Sequence, residues 1–403
     1  MGGVRAEDED PPTLRSRPMH NRVRTACAAL VVLGLAAGPL AGAAAASPAA
    51  TVVREADGPN DKALSAAIAD LPDLSDKDAT AALVRVGGTG GSWHGSSGVH
   101  DLATGRAALE HGRFRAGSTT KVVTAAVVLQ LAAEGEVDLD GHVQTYLPGL
   151  LSDDFDPITV RQLLTFTSGL KPGISLGAED GEGFENRYKT LTPEEVVASS
   201  VAKGRAFDPG KRQQYGNIDY TVLGMLIEKV TRDSYENQAA ERIFKPLGMQ
   251  RTSFPCGPDP RIHGPHNRGY QRLADGRLVD ATEWNMSDRW AAGDMISTTA
   301  DLERLLLGLF RGKVVPQPLL KQEMLTLPKV EEGEATMSAG LQYYEKDGLT
   351  LWLKSGSRPG YRTMIATTPD LSRTLVHSIN ATNAKAVAMN PVEEQILRAA
   401  FAS

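Results

Sequence analysis

Strand-like sequence is confined to the two ends of this chain, and that placement limits the folds open to it. Near the start, "TAALVRV" (80–86) and "GSWHGSSGVHDLATGRAA" (91–108) sit among turn signals and read as a hairpin. Near the end, "AGLQYYEKDGLTLWLKSGS" (339–357) reads as two strands joined at Asp347-Gly348, a strong hairpin turn. "YRTMIATTPDLSRTLVHSIN" (361–380) reads as two more, turning at Pro369-Asp370. From Ser118 to about Leu320 the pattern is mostly helical, and no internal repeat is visible. Helices are expected over "DKALSAAIADL" (61–71), "ITVRQLLTFTSGL" from Ile158 to a stop at Gly169, "TPEEVVASSVAKG" with Thr192 as cap and Pro193 at the first position, "YTVLGMLIEKVT" from Tyr220, "TADLERLLLGLFRG" from Thr299, and "PVEEQILRAAFA" at the end. "KPGISLGAEDGEGFEN" (171–186) reads as a loop. The economical fold is α+β: an antiparallel sheet formed by the N- and C-terminal segments, flanked by helices, with a large helical region inserted. We assign residues 61–403 to one domain, its sheet part being 61–112 and 335–403 and its helical part 113–334. The sheet and the inserted helices would form two walls of a cleft.

The first 46 residues stand apart. Arg22 and Arg24 precede an apolar run from Ala26 to Leu40, and "AGAAAAS" follows. This is the layout of a secretory signal, with cleavage after Ala46 and a flexible start over 47–60. The run falls short of the ~20 residues of a spanning helix, so a released, extracellular protein is expected, without a stable membrane span. The acidic stretch before Met19 is foreign to such a signal, which makes Met19 an alternative start. Of the two cysteines, Cys27 lies in this segment and Cys256 is left alone, so no internal disulfide is expected. The net charge of −6 and the lack of a basic block argue against nucleic acid. No phosphate-cradling loop ends in Lys-Ser/Thr, and the histidines are scattered. Neither a metal nor another cofactor is therefore expected.

Three short patterns each occur more than once, and context separates the copies. Ser118-Thr-Thr-Lys121 opens an Ala- and Val-rich helix, whereas Ser200-Val-Ala-Lys203 closes one. Residues i and i+3 share a helix face. At a helix start, free N–H groups and the dipole favour developing negative charge; at a helix end they oppose it. Lys121, one turn into a buried helix, would be desolvated, and desolvation turns a lysine into a base. Tyr215-Gly-Asn217 follows the turn "FDPGKRQQ" and precedes an apolar helix, on a loop that projects polar groups. Tyr235-Glu-Asn237 lies in polar helical sequence and reads as solvated. Lys354-Ser355-Gly356 continues the apolar strand "LTLWL", where Gly356 permits close approach to the backbone. The other Lys-x-Gly copies, at Lys171 and Lys346, fall in a loop and in the hairpin turn. Gly173-Ile-Ser175-Leu-Gly177 matches a nucleophile elbow but lacks the strand before it and the helix after it, so Ser175 reads as a surface residue.

Taken together, the three motifs in this order resemble the serine β-lactamase and D-alanyl-D-alanine carboxypeptidase superfamily, on its class C and soluble DD-peptidase side. "EGEVDLDGHVQTYLPGL", "ITVRQLLTFTSGL", "LGMLIEKVT", "IFKPLGM" and "AAGDMISTTADL" extend the likeness over about residues 115–380. The resemblance implies acyl-enzyme chemistry. Ser118 would attack a carbonyl, Lys121 and Tyr215 would handle its proton, Asn217 would hold a substrate amide, and Lys354 would support the tyrosine and a substrate carboxylate. The backbone N–H groups of Ser118 and Ser357 would form an oxyanion hole. Trp290, beside "AAGDMIS", is a candidate pocket wall. Two departures bear on substrate: the third motif is Lys354-Ser-Gly where soluble DD-peptidases often have His-Thr-Gly, and the strand before it lacks their arginine, a place that Arg358 or Lys354 would fill. The expected activity is a serine-type D-Ala-D-Ala carboxypeptidase acting on peptidoglycan stem peptides and binding penicillins. A class C-like β-lactamase or a small-ester hydrolase is the alternative.

Overall fold

The two ends of the chain do meet in one sheet. The computed structural model describes residues 58–401; the expected export signal and most of the flexible start lie outside the described residues. The strands are β1 (Ala79–Gly87), β2 (Trp93–Gly98), the short β3 (Phe114–Arg115), β4 (Tyr270–Arg272), β5 (Leu278–Asp280) and β6 (Ile296–Ser297), then β7 (Gln342–Lys346), β8 (Leu349–Arg358), β9 (Tyr361–Thr367) and β10 (Thr374–Ala381). Six of them form an antiparallel sheet in the order β2-β1-β10-β9-β8-β7. The β7–β8 turn is tight because Asp347 and Gly348 both take positive φ, 50° and 81°, as a primed hairpin turn requires.

Alternation along the strands gives the sheet two apolar faces. Ala82, Val84, Leu353, Met364 and Ile379 pack under helices α1 (Asp61–Ala67) and, at the C-terminus, Pro391–Phe401. Leu83, Trp352, Ile365 and Val376 face the inserted helical region. There, α2 (Thr120–Ala133) is buried nearly all round and forms the centre of the core. Around it lie α3 (Val160–Leu164), α4 (Pro193–Val201), α5 (Ile218–Thr231) and α6 (Thr299–Phe310); we call the last helix α7. Thr159 and Thr192 start α3 and α4 with reciprocal capping boxes to Gln162 and Glu195.

Three expectations need correction. The helix expected from Ile158 to Gly169 runs only from Val160 to Leu164: Thr159 caps its start, and Phe166 adopts a left-handed φ of 59° beyond its end. That turn stacks its ring on Tyr220 and sets it tilted against Tyr215, with centroids 5.1 and 4.8 Å away. Residues 250–297 are mostly irregular, with the small pairs β3–β6 and β4–β5 and a single 3-10 turn at Trp290–Ala292; the four prolines from Pro255 to Pro265 remove N–H groups a helix there would need. Tyr235 is fully buried, not solvated: its hydroxyl meets Thr124 on α2 at 3.0 Å. A helical-looking polar segment hid one core position, and only the neighbouring helix supplies its partner.

Candidate active site

The site is built where a helix start is pressed against a strand. Gly117–Thr119 forms a 3-10 turn leading into α2. Ser118 is the only partly exposed residue between Phe114 and Thr120, where α2 starts; its neighbours Gly117 and Thr119 are buried. Gly117 has φ 55°, and a Cβ there would lie 2.6 Å from the Ser357 nitrogen. From the other side, a Cβ on Gly356 would lie 1.9 Å from the Ala116 carbonyl oxygen and 3.0 Å from the Ser118 nitrogen. The two glycines thus allow the backbone at Ser118 and at Ser357 to approach closely, which is the arrangement an oxyanion hole needs.

Lys121 is fully buried one turn into α2. Its Nζ lies 3.4 Å from Ser118 Oγ and donates to Asn217 Oδ1 and to the Ala292 carbonyl, both at 2.7 Å. Burial, then the charge of Lys354, drives its pKa well below that of an ordinary lysine. Lys354, on β8, is almost as buried; its Nζ donates to the Ser355 carbonyl at 2.9 Å, and burial lowers its pKa to about 7. The two amines flank the Tyr215 ring at 4.9 and 5.0 Å from its centroid. Burial raises the Tyr215 pKa, while the adjacent Ser118 hydroxyl opposes that rise. The phenol oxygen is buried without a hydrogen bond of ordinary geometry, so it is a polar atom aimed at the serine and lacking a settled partner. Asn217 precedes α5. Its Oδ1 is taken by Lys121, which leaves the N–H donors of its amide as its means of holding a substrate carbonyl.

The structure therefore gathers Ser118, Lys121, Tyr215, Asn217, Lys354, Gly356 and Ser357 at one place, with Ser355 beside them opposite Met364 on β9. Arg358 goes elsewhere. It is buried, with Nε on the Met286 sulfur at 2.9 Å and its other nitrogens 3.5 Å from Asp288 and 3.6 Å from Glu179. A guanidinium paired with two carboxylates is a poor receptor for a third, so the expectation that Arg358 binds a substrate carboxylate is withdrawn. Trp290, the candidate pocket wall, packs against the helical core: its indole lies on Gly224 and edge-on to Tyr235, and Nε1 donates to Glu236 at 2.8 Å. The decoys separate as expected. Ser200 donates to the Lys171 carbonyl near the end of α4, and Ser175 is exposed on the loop.

Sequence reasoning missed several groups. The Ala292 carbonyl leaves no side-chain signal. Arg289 and Lys385 contribute charge felt at Lys121, yet they come from loops far apart in sequence. Asp219 was readable in principle, as a carboxylate in the apolar start of α5. It accepts a hydrogen bond from Ser168, and burial raises its pKa to about 7. Its anion favours the Lys121 ammonium, so Asp219→Asn should move the acidic limb of the pH–rate profile to lower pH. Because the folded pKa is raised from 3.8, the stability this group gives is full below about pH 4 and is lost as pH rises through about 7. Asp219→Asn should flatten that slope in urea melts; an unchanged slope and limb would count against the assignment.

Among the described residues there is no cluster of His, Cys, Asp and Glu fit to hold a metal, and no helix long and apolar enough to cross a membrane. The family model described as Beta-lactamase matches residues 63–397, and the chain belongs to that family. It shares 31% identity over 160 residues with penicillin-binding protein 4 of Amycolatopsis lactamdurans, covering 39% of this chain and 40% of that one. The chain spans less than half the length of the curated relatives it matches. Among solved structures, a D-stereospecific amidohydrolase from Streptomyces sp. superposes with a TM-score of 0.75 at 29% identity, covering 85% of this chain and 99% of the other. A D-amino acid amidase from Ochrobactrum anthropi SV3, complexed with D-phenylalanine, gives 0.69 at 25% identity, covering 84% and 98%. The six-stranded sheet flanked by helices is the fold of these neighbours. The site and the family together place the chain in a serine hydrolase superfamily.

Proposed function

We propose that this protein is a serine-type D-alanyl-D-alanine carboxypeptidase, exported from the cell, that cleaves stem peptides of peptidoglycan through an acyl-enzyme at Ser118. The observation that carries the reading is the Lys121 amine: buried, depressed in pKa and 3.4 Å from the Ser118 oxygen. A neutral amine there can take the serine proton as Oγ attacks the carbonyl carbon. The negative charge that forms on the carbonyl oxygen falls between the Ser118 and Ser357 N–H groups. The Tyr215 phenol, kept protonated by burial, is suited to pass a proton to the leaving nitrogen, and Lys121 returns its own proton to the phenol. The amine product departs and the acyl group stays on Oγ. Water then attacks the ester with the same groups in reverse, releasing the acid and restoring the serine. With Arg358 engaged elsewhere, and Arg289 and Lys385 paired with Asp288 and Glu179, the terminal carboxylate is left to Lys354.

A second reading is an amidase for small D-amino acid amides. It is favoured by the Streptomyces and Ochrobactrum neighbours, which bear names of this class. The two readings, and the β-lactamase alternative, separate in one experiment. Wild type and Ser118→Ala are offered a D-Ala-D-Ala peptide, D-phenylalanine amide and a labelled penicillin. Release of D-Ala with a long-lived penicillin label, both absent in Ser118→Ala, is the expected result. Ammonia release from the amide alone would favour the amidase, and fast penicillin turnover the lactamase. Equal turnover by Ser118→Ala would end all three.

A further inference from the structure

The face of the sheet opposite the catalytic groups carries a buried ionic cluster that the mechanism above does not use. Ser357 has its backbone against the Gly117 turn, but its side chain points the other way: Oγ donates to the Ala384 carbonyl at 2.6 Å. Ala384 lies in the loop that joins β10 to α7. Directly across the β8–β9 ladder from Ser357 stands Arg362. Its Nη1 donates to the carbonyls of Ala386 and Ala388 in the same loop, at 3.4 and 3.5 Å. Its Nε pairs with Glu393 Oε2 on the first turn of α7 at 2.5 Å. Glu393 is fully buried. His377, on β10, brings Nε2 to 3.6 Å from the other Glu393 oxygen, and burial pushes the imidazole down to about 3, so it stays neutral and leaves Glu393 to Arg362.

Two further bonds tie the end of this loop: Asn390 donates to the Lys77 carbonyl at 2.7 Å and accepts from the Val392 N–H at 2.9 Å. Arg362 is therefore the group that holds the middle of the loop, between the Ser357 contact and the Asn390 anchor. A buried ion pair is a weak device for stability, since an apolar pair of equal volume serves as well. It is a good device for fixing geometry, because a guanidinium offers five N–H donors in a rigid plane. From these contacts we propose that Arg362 is a positioning residue: anchored by Glu393, it shapes the 382–390 loop so that Ala384 fixes Ser357, and thereby sets the oxyanion-binding N–H at the end of β8. The proposal rests on the acyl-transfer reading of the site. It does not require that the substrate be a peptide.

The test is steady-state kinetics on a nitrophenyl ester and on a D-Ala-D-Ala peptide, with active sites counted from the ester burst. Arg362→Met is expected to lower kcat on the ester about tenfold while KM stays within about twofold, because the ground-state ester makes little use of the oxyanion site. Arg362→Lys should recover part of that loss, since a cation still reaches Glu393. Ser357→Ala should show a similar drop, and the double variant should show little further loss, the signature of one coupled unit. Should Arg362→Met fail to fold, Glu393→Gln, which keeps shape and one acceptor, carries the same expectation. A wild-type kcat per counted site in Arg362→Met, or in Glu393→Gln if the former does not fold, would overturn the proposal. So would strict additivity with Ser357→Ala. A wild type that turns over the ester but not the peptide would count against the carboxypeptidase reading alone.

Discussion

Lys121→Met is expected to lower kcat/KM on ester and amide substrates by about 10⁴-fold while the protein remains folded. The methionine keeps the unbranched apolar stem that packs in the core, so volume is conserved. What it removes is the nitrogen that lies 3.4 Å from Ser118 Oγ. Asn217 Oδ1 and the Ala292 carbonyl lose their 2.7 Å donor, at a cost of about 1–3 kcal/mol for each acceptor left dry. Relief from holding a buried amine offsets part of this. The measurement is single-turnover acylation beside a thermal melt. Lys121→Arg should not rescue, because a guanidinium stays protonated and cannot serve as a base. Retention of a tenth of wild-type acylation in Lys121→Met would transfer the role of base to Tyr215.

Gly356→Ala is the second large effect, and it comes from space alone. The new methyl would sit 1.9 Å from the Ala116 carbonyl oxygen. The obstacle is backbone, which cannot rotate away as a side chain can, so β8 and the Ser118 turn must separate. Moving one oxyanion donor out of place costs about 10²–10³ in rate, and the overpacking itself about 1–3 kcal/mol of stability. We expect kcat to fall about 10³-fold, with the far-ultraviolet circular dichroism unchanged. An active Gly356→Ala enzyme would mean that the strand and the turn are not held in the contact described here.

Much of this layout was legible beforehand because short-range chemistry wrote it. The hairpin turn at Asp347-Gly348, the cap at Thr192, and the serine at the mouth of an apolar helix are each decided within a few residues. So is the distinction between Ser118 and Ser200, which depends on which end of a helix each occupies. Arg358 and Tyr235 show where such reasoning stops. Arg358 is two residues from Gly356 and looks available, yet Asp288 and Glu179 arrive from other loops to occupy it. Tyr235 sits in a polar segment, yet Thr124 of α2 meets its hydroxyl.

What the sequence by itself determined is the terminal strands, most of the helices, their order, and the reacting groups they carry, because periodicity, capping and turn formation are local. What only the tertiary structure decided is which charges share a space: the two lysines on either side of Tyr215, Asp219 near Lys121, and Arg362 held by Glu393 behind the sheet. Their effect on reactivity depends on desolvation and on distance through the folded molecule, and neither quantity exists along an unfolded chain.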